Sequence, residues 1–191
     1  MLEVMKELPV KCVIVGNGGV GKTTLYITYT SRTYPEEYIP TVFDNYSHEL
    51  IVDGQTTLLN LWEVCTGEDA YRLRPLYYPK TDIFLLAFAI DDRDSFEDIE
   101  SVWVPEVRKF EPKAPIILLG TKIDLRQSDE NQDDWITTET GEAYAKSLKI
   151  EKYMECSSLA MINVDAVFCE AAVMGSARWK MRRREKRCSL L

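Results

Sequence analysis

Short runs of apolar residues recur along the chain, and longer stretches with helical spacing separate most of them. The runs are continuous rather than alternating, which is typical of strands that are covered on both faces of a sheet. They lie at residues 10–15, 58–62, 83–90, 116–119 and 153–156. Strands of this kind, interleaved with helices, predict an α/β fold with a mostly parallel, doubly wound sheet.

One pair of strand-like runs departs from this pattern. Residues 47–62 contain two such runs that flank Asp53-Gly54, a pair able to adopt the positive φ angles of a tight hairpin turn. We therefore expect one antiparallel edge strand in an otherwise parallel six-stranded sheet. With helices on both faces, this fold is a three-layer sandwich.

The helical stretch after residues 83–90 carries two local signals. Asp94 and Glu97 have the spacing of a reciprocal N-terminal cap. Pro105 follows in the same stretch, and its ring and missing N–H predict that the helix is kinked or interrupted there.

The composition indicates a globular protein. The 191 residues correspond to about one domain, and the 46% hydrophobic and 28% charged content excludes a disordered or fibrous chain. Neither a signal-peptide pattern nor an apolar stretch of about 20 residues occurs, so we expect a cytosolic protein unless a lipid anchors it. The cysteines are odd in number and lack metal-ligand spacing, which favours a reducing compartment. They are Cys12, Cys65, Cys156, Cys169 and Cys188.

Charge is unevenly distributed, and this divides the chain into two predicted parts, a globular domain over residues 1–177 and a basic tail over residues 178–191. The net charge of −8 argues against a nucleic-acid partner, yet the tail is strongly basic. It predicts attraction to an anionic membrane surface. The alternatives are a frayed basic helix end, or a nuclear-localisation or RNA-binding patch.

The last four residues loosely fit a C-a-a-X prenylation signal, with Cys188 as the lipidated residue and the polar Ser189 as the departure from the pattern. Leu191 at the final position favours a geranylgeranyl group. A single lipid chain needs a second signal for stable attachment, and the basic tail supplies it. The tail and the lipidation signal together favour membrane anchoring over the alternatives.

A phosphate-binding pattern, G-x-x-x-x-G-K-[ST], lies between the first predicted strand and a helix-compatible segment. Its glycines let backbone N–H groups surround phosphate oxygens, Lys22 can reach the β and γ phosphates, and the Thr23 hydroxyl can ligate Mg²⁺. A glycine-rich turn with a chance lysine is the alternative. The loop comprises Gly16, Asn17, Gly18, Gly19, Val20, Gly21, Lys22 and Thr23.

Thr121-Lys122-Ile123-Asp124 follows the predicted strand at 116–119 and, with the phosphate loop, resembles the small GTPases of the Ras superfamily. The resemblance implies that Asp124 accepts two hydrogen bonds from guanine and that the stem of Lys122 lies along the base. Residues 155–158 resemble the third base-binding loop, in which the Ser158 N–H faces the guanine oxygen. The ligands implied are GTP or GDP with Mg²⁺ as cofactor.

Three further segments resemble the Rho/Rac branch, at residues 38–46, 72–76 and 103–107. The resemblance implies that Thr41 ligates Mg²⁺ and senses the γ-phosphate, that Tyr34 packs on the base and that Tyr38 closes over the phosphates. It also implies a membrane switch in actin cytoskeleton signalling, at the cytoplasmic face of the plasma membrane and in the cytosol. Its partners would be exchange factors, activating proteins, a dissociation inhibitor and effectors of the Rho type.

The segment from Trp62 to Glu68 departs from the family's W-D-T-A-G-Q-E pattern at three functional positions. Glu63 replaces the aspartate that holds Mg²⁺ through water, which predicts weaker Mg²⁺ binding. Thr66 replaces the glycine that meets the γ-phosphate, and Gly67 replaces the glutamine that orients the attacking water. Hydrolysis is therefore expected to be slow. A register shifted by one residue would instead leave Val64 at the acidic position.

Two interpretations remain, a cycling GTP hydrolase and a GTP-retaining module that binds effectors with little hydrolysis. A P-loop kinase or ATPase is disfavoured by the guanine-reading segment. The catalytic residues implied are Lys22, Thr41 and Gly67, and the Mg²⁺ ligands are Thr23, Thr41 and Glu63. The nucleotide-binding residues implied are Gly16, Asn17, Gly18, Gly19, Val20, Gly21, Lys22, Thr23, Thr24, Tyr34, Tyr38, Thr41, Thr66, Thr121, Lys122, Asp124, Leu125, Ser157, Ser158 and Leu159.

Overall fold

A computed structural model of the chain describes residues 7–35, 45–64, 72–127 and 135–188, and it contains a six-stranded sheet in the order β2-β3-β1-β4-β5-β6. The strands are β1 (Leu8–Val15), β2 (Asn45–Val52), β3 (Gln55–Glu63), β4 (Ile83–Ala89), β5 (Ile116–Thr121) and β6 (Lys152–Glu155). Every pairing except that of β2 with β3 is parallel. The predicted six-stranded sheet with one antiparallel edge strand is confirmed.

The helices cover both faces of this sheet. They are α1 (Lys22–Ser31), α2 (Arg93–Asp98), α3 (Val104–Phe110), α4 (Thr138–Ser147) and α5 (Val164–Cys188). The central strand β4 is buried along its whole length, and its side chains alternate between two cores. Leu85 and Ala87 belong to the core that contains residues of α1 and α5. Phe84, Leu86 and Phe88 belong to the core that contains residues of α2, α3 and α4.

The predicted hairpin joins β2 and β3. Asp53 and Gly54 both have positive φ angles, 51° and 74°, as a two-residue turn of this twist requires. The antiparallel pairing runs from Val52 opposite Gln55 to Asn45 opposite Trp62. The edge of the sheet is therefore formed as the sequence pattern predicts.

The start of α2 differs from the prediction. Asp92, not Asp94, caps the helix, and its carboxylate accepts a 3.0 Å hydrogen bond from the Ser95 N–H. Glu97 pairs with Arg93 at 3.1 Å instead of reaching back to the cap. The predicted Asp94–Glu97 capping pair is therefore wrong.

A short π-helical segment, Ile99–Trp103, separates α2 from α3. Pro105 lies in the first turn of α3, directly after this segment, and cannot donate a backbone hydrogen bond to the preceding helical turn. The predicted interruption at this proline is thus confirmed as a change of helix type just before it.

Helix α5 continues through the predicted boundary between residues 177 and 178 and ends at Cys188. Gly175 allows it to lie close to the sheet, because a Cβ at this position would overlap the Val10 side chain on β1. The basic segment therefore begins as part of the domain's last helix. None of the helices in the described ranges is long and apolar enough to cross a membrane.

A buried carboxylate, Asp82, lies just before β4 and is only 1% exposed. It accepts a 3.0 Å hydrogen bond from the Lys11 N–H and lies 3.0 Å from the Arg182 guanidinium of α5. Burial raises the pKa of Asp82 to about 6, and the Lys11 N–H and the charges of Arg182 and Arg178 offset only part of this shift. Asp82 is therefore a pH-sensitive contributor to stability.

We expect the stability of the parent relative to Asp82→Asn to fall as the pH rises. Because the pKa of Asp82 is raised above its usual 3.8, the folded state binds this proton more tightly than the unfolded state. The resulting stabilisation is fully present below the unfolded pKa and is lost as the pH rises through about 6. Urea unfolding of both proteins at about pH 4 and about pH 8 measures the difference, which can reach about 3 kcal/mol. An equal difference at both pH values would contradict the expectation.

Candidate nucleotide-binding site

A cavity of about 320 Å³ opens beside the carboxyl ends of the central strands, between the loop after β1 and the loop after β5. Ligands of open α/β sheets bind at this edge. The residues that line the cavity all belong to the set predicted from sequence, and the fold brings together positions that are far apart along the chain. They are Gly19, Gly21, Thr24, Tyr34, Thr121, Lys122, Asp124, Leu125, Ser158 and Leu159.

The loop between β1 and α1 lies tightly against β4. Gly16 has a φ of 145°, and a Cβ there would overlap the Ala87 carbonyl oxygen, so this position requires glycine. Lys22 opens α1 and is buried, and its Nζ donates to the carbonyl oxygens of Gly16 at 2.9 Å and Asn17 at 2.7 Å. A lysine cation held over a loop at a helix N-terminus is a suitable site for phosphate.

Asn17 holds this loop from behind. Its side-chain amide donates to Asp98 Oδ2 at 2.6 Å, and its Oδ1 accepts from the Trp103 indole at 2.8 Å. The side chain therefore contacts the α2 and π-helical segments, while the backbone carbonyl binds Lys22. Sequence reasoning placed Asn17 among the nucleotide-binding residues but missed Asp98 and Trp103, since they lie more than 80 residues further along.

The loop after β5 carries the base-binding candidates. The Ser157 hydroxyl, fully buried, donates to Asp124 Oδ1 and accepts from the Ala160 N–H at 2.9 Å. Lys122 has a positive φ of 61°, and its Nζ lies 3.5 Å from Asp91 Oδ1. The Ser157 hydroxyl thus holds one oxygen of Asp124 on the protein side, and Asp124 itself lines the cavity.

Thr121 connects the two loops. Its hydroxyl lies 2.7 Å from the Val20 carbonyl oxygen and 2.9 Å from that of Phe88. Val20 is fully buried, so its place in the site is to fix the phosphate loop through this contact. The Thr121 hydroxyl therefore links the phosphate-binding loop directly to the strand that leads into the base-binding loop.

Glu155 braces the base-binding side, a role that sequence reasoning missed. Both of its oxygens accept from the Arg126 guanidinium at 2.7 Å, and they also accept from the Tyr153 hydroxyl at 2.7 Å and the Thr138 hydroxyl at 3.0 Å. Burial opposes the charge on Glu155, but these hydrogen bonds outweigh it and lower its pKa. The brace joins the turn Ile123–Gln127 to β6.

Thr23 and Glu63 are the predicted Mg²⁺ ligands that lie within the described residues. The Thr23 hydroxyl donates to Glu63 Oε1 at 2.7 Å, at the junction of α1 with the end of β3. Hydroxyl and carboxylate oxygens are the hard ligands that Mg²⁺ prefers, and Mg²⁺ completes its octahedron with phosphate and water oxygens. The residues present therefore fit Mg²⁺, which Thr23 and Glu63 would hold beside the phosphates of a bound nucleotide.

Several predicted residues lie outside the described residues. These are Tyr38, Thr41, Thr66 and Gly67, together with Ser189 and Leu191 of the C-a-a-X signal. Cys188 is the last residue of α5. Gly18 lies within the loop between β1 and α1.

The doubly wound sheet, the glycine-rich loop between β1 and α1 and the cavity above the strand ends define a P-loop nucleotide-binding domain. The Ras family model matches residues 11–174, and the chain therefore belongs to the Ras family. It is a small GTPase domain of the class that binds guanine nucleotides with Mg²⁺ and hydrolyses GTP.

Within this class, the described residues supply binding and positioning. The loop N–H groups and Lys22 are placed to bind phosphates, and Asp124 would accept hydrogen bonds from the guanine N–H groups, which adenine does not offer in that arrangement. Bound Mg²⁺ neutralises charge on the phosphates. Because phosphoryl transfer depends chiefly on positioning and electrostatics, the supports of Lys22 and of the loop matter as much as the groups in contact with nucleotide.

We expect Asn17→Asp to release GDP about tenfold faster or more, because the new carboxylate would face that of Asp98 and the loop would lose its support. Adding Asp98→Asn should restore slow release. In this double variant the amide at residue 98 donates to the carboxylate at residue 17, the reverse of the parent, and Trp103 still donates to residue 17. Dissociation of a fluorescent GDP measures this. Ser101→Ala, which removes a contact to the other Asp98 oxygen and one to the Glu97 carbonyl oxygen but none to residue 17, is the control.

A double variant that releases GDP as fast as Asn17→Asp alone would show that the contact between residues 17 and 98 does not support the loop. Unchanged release in the single variant would have the same meaning.

We expect Glu63→Asp to need about tenfold less Mg²⁺ to retain GDP. The Glu63 carboxylate lies directly against the Thr23 hydroxyl, and a side chain shorter by one methylene leaves space for a water between carboxylate and metal. GDP release titrated with Mg²⁺ measures this, with Glu63→Gln as the uncharged control. A higher Mg²⁺ requirement in the Asp variant would show that the longer glutamate is itself the better ligand.

Proposed function

We propose that the chain is a Rho/Rac-like, guanine-nucleotide-dependent molecular switch that acts at membranes in actin cytoskeleton signalling, with reduced intrinsic GTP hydrolysis. The observation that carries the nucleotide-binding part is the cavity in which Asp124 and the phosphate loop face the same space, held together by Thr121. Its Rho-like character is inferred from three sequence segments, 38–46, 72–76 and 103–107.

Two of these segments contact each other in the fold, which supports treating them as one unit. Arg74 forms an ion pair with Glu106 at 2.9 Å, and both side chains are largely buried. The Arg74 guanidinium also lies over the Trp103 ring, 4.8 Å from its centroid, and the Tyr78 hydroxyl donates to Glu106 Oε1 at 2.6 Å.

The surface beside this cluster is apolar. Leu73 and Leu76 are exposed, Leu76 to 72%, although leucine usually packs inside a domain. We infer that effectors bind here together with the segment at 38–46 when GTP is bound, since the γ-phosphate orders such segments and GDP releases them.

Reduced hydrolysis follows from the composition of the segment after β3. Gly67 takes the place of the glutamine that orients the attacking water in the Ras family, and glycine has no side chain to do so. Thr66, a β-branched residue in place of glycine, restricts the backbone beside the γ-phosphate. Exchange factors load the protein, and activating proteins stimulate it poorly.

Membrane attachment is inferred from the lipidation signal at Cys188 and the basic residues before it. The protein would act at the cytoplasmic face of the plasma membrane, and a dissociation inhibitor of the Rho type would move it to the cytosol.

A second candidate function is a GTP-retaining module that binds effectors and barely hydrolyses GTP. Gly67 and Thr66 are the observations that favour it. It shares the nucleotide site with the first candidate and differs only in turnover.

Single-turnover hydrolysis of bound GTP, with and without a Rho-family activating protein, tests both candidates. We expect the parent to be slow and unstimulated, and Gly67→Gln to gain on the order of 100-fold with the activating protein, because a side chain then positions the water. Gly67→Ala is the matched control, since it adds a side chain without the amide.

Hydrolysis by the parent at the rate of Gly67→Gln would show that another group positions the water, and the cycling enzyme would be the correct interpretation. Failure to bind guanine nucleotide in preference to adenine nucleotide would overturn both candidates.

A further inference from the structure

The basic segment at the end of α5 is divided between two faces of one helix. Arg178 and Arg182 are four residues apart and therefore lie on the same face, which packs against the domain. Their side chains are only 6% and 19% exposed. Arg183 and Arg184 are exposed. The basic residues of this segment thus do not form one uniform tail.

The inner face is tied to the body at several points. The Arg182 guanidinium lies 3.0 Å from Asp82 Oδ1 and donates to the Lys80 carbonyl oxygen at 2.5 Å. One turn away, Glu185 pairs with Lys113 at 3.0 Å and with Arg178 at 3.5 Å. Removing one partner of a buried ion pair is strongly destabilising, so the inner arginines serve the fold.

The opposite face, termed the outer face, comprises Trp179, Lys180, Arg183 and Arg184. The Arg183 guanidinium lies 4.8 Å from the centroid of the Trp179 ring, and both Trp179 and Lys180 are half-buried. Beside them the apolar side chain of Met181 is 52% exposed. Tryptophan and long apolar side chains among basic residues are typical of helices that lie at a lipid surface.

The outer face lies at the end of the domain opposite the nucleotide site. Gly175 of α5 packs over Val10 and Ile83, at the beginnings of β1 and β4, and Arg182 reaches Asp82 just before β4. The phosphate loop follows the other end of β1. Since α5 continues unbroken to Cys188, no flexible linker separates the outer face from the body in the described chain.

We propose that the outer face docks directly on an anionic lipid surface, while Arg178 and Arg182 do not bind lipid but hold the helix in the position that presents this face. The inference rests on the membrane attachment proposed above. Docking through the outer face would hold the domain with its nucleotide site directed away from the lipid. The whole chain has a net charge of −8 despite its basic end, which disfavours an extended nucleic acid as the occupant.

Two charge-matched double variants of the full chain test this. Arg183→Gln/Arg184→Gln should bind phosphatidylcholine vesicles containing phosphatidylserine roughly 30-fold more weakly than the parent, as two lost surface charges predict. Arg178→Gln/Arg182→Gln removes the same charge, and its folded fraction should bind within about twofold of the parent. The Arg178→Gln/Arg182→Gln variant should instead have a lower unfolding temperature than the parent, whereas Arg183→Gln/Arg184→Gln should unfold at the same temperature as the parent. Where the inner pair does not fold, Arg182→Gln alone replaces it.

The Trp179 emission provides a spectroscopic readout. It should shift to shorter wavelength with phosphatidylserine vesicles, and the shift should vanish in Trp179→Phe while persisting in Arg182→Gln. Equal loss of binding in the inner and outer pairs would overturn the proposal, because charge would then act regardless of face. The proposal would also be overturned if the parent bound a single-stranded RNA more tightly than the phosphatidylserine vesicles, compared at equal concentrations of phosphate and phosphatidylserine.

Failure of the unlipidated parent to bind phosphatidylserine vesicles would overturn the inference but not lipid anchoring. Binding of the prenylated chain to neutral phosphatidylcholine vesicles tests anchoring separately, and its absence would overturn the membrane part of the proposed function.

Discussion

The buried hydroxyl of Thr121 is the contact on which the nucleotide site depends. It lies within hydrogen-bond distance of the Val20 carbonyl oxygen in the phosphate loop and of the Phe88 carbonyl oxygen in β4. The base-binding residues continue from Thr121 along the chain, so this side chain links the base site directly to the phosphate site. Because the contact is shielded from water, a partner lost here leaves a buried polar group unpaired. The same side chain thus serves folding and ligand geometry.

The site could be predicted from sequence where its information is local. The glycine spacing around Lys22 and the residues Thr121 to Asp124 each carry their chemistry within a few positions, and the order of strands then brings them to one edge of the sheet. The supports could not be predicted, since the contacts of Asn17 with Asp98 and Trp103 span 81 and 86 residues. No local pattern distinguishes such partners from ordinary helix residues.

The two differences from the sequence prediction have separate physical causes. At α2, either Asp92 or Asp94 has a side chain able to cap, and the turn that follows β4 decides between them, because the Asp92 N–H bonds to the Ala89 carbonyl oxygen and starts the helix there. At the basic segment, the run of charge predicts a tail separate from the globular domain. The buried Asp82, 100 residues before Arg182, makes that segment part of the domain.

These observations give the paired strands β1 and β4 a double role. At their beginnings, Lys11 and Asp82 are joined by a hydrogen bond and receive the end of α5 through Arg182. At the other end of this strand pair, Gly16 lies against Ala87 and is the first residue of the phosphate loop. Because a close-packed strand pair deforms little, a surface that orients α5 also orients the nucleotide edge. A polypeptide tail without such ties would transmit no orientation, so in the proposed docking on lipid the ion pair at Asp82 would set which face of the domain partners can approach.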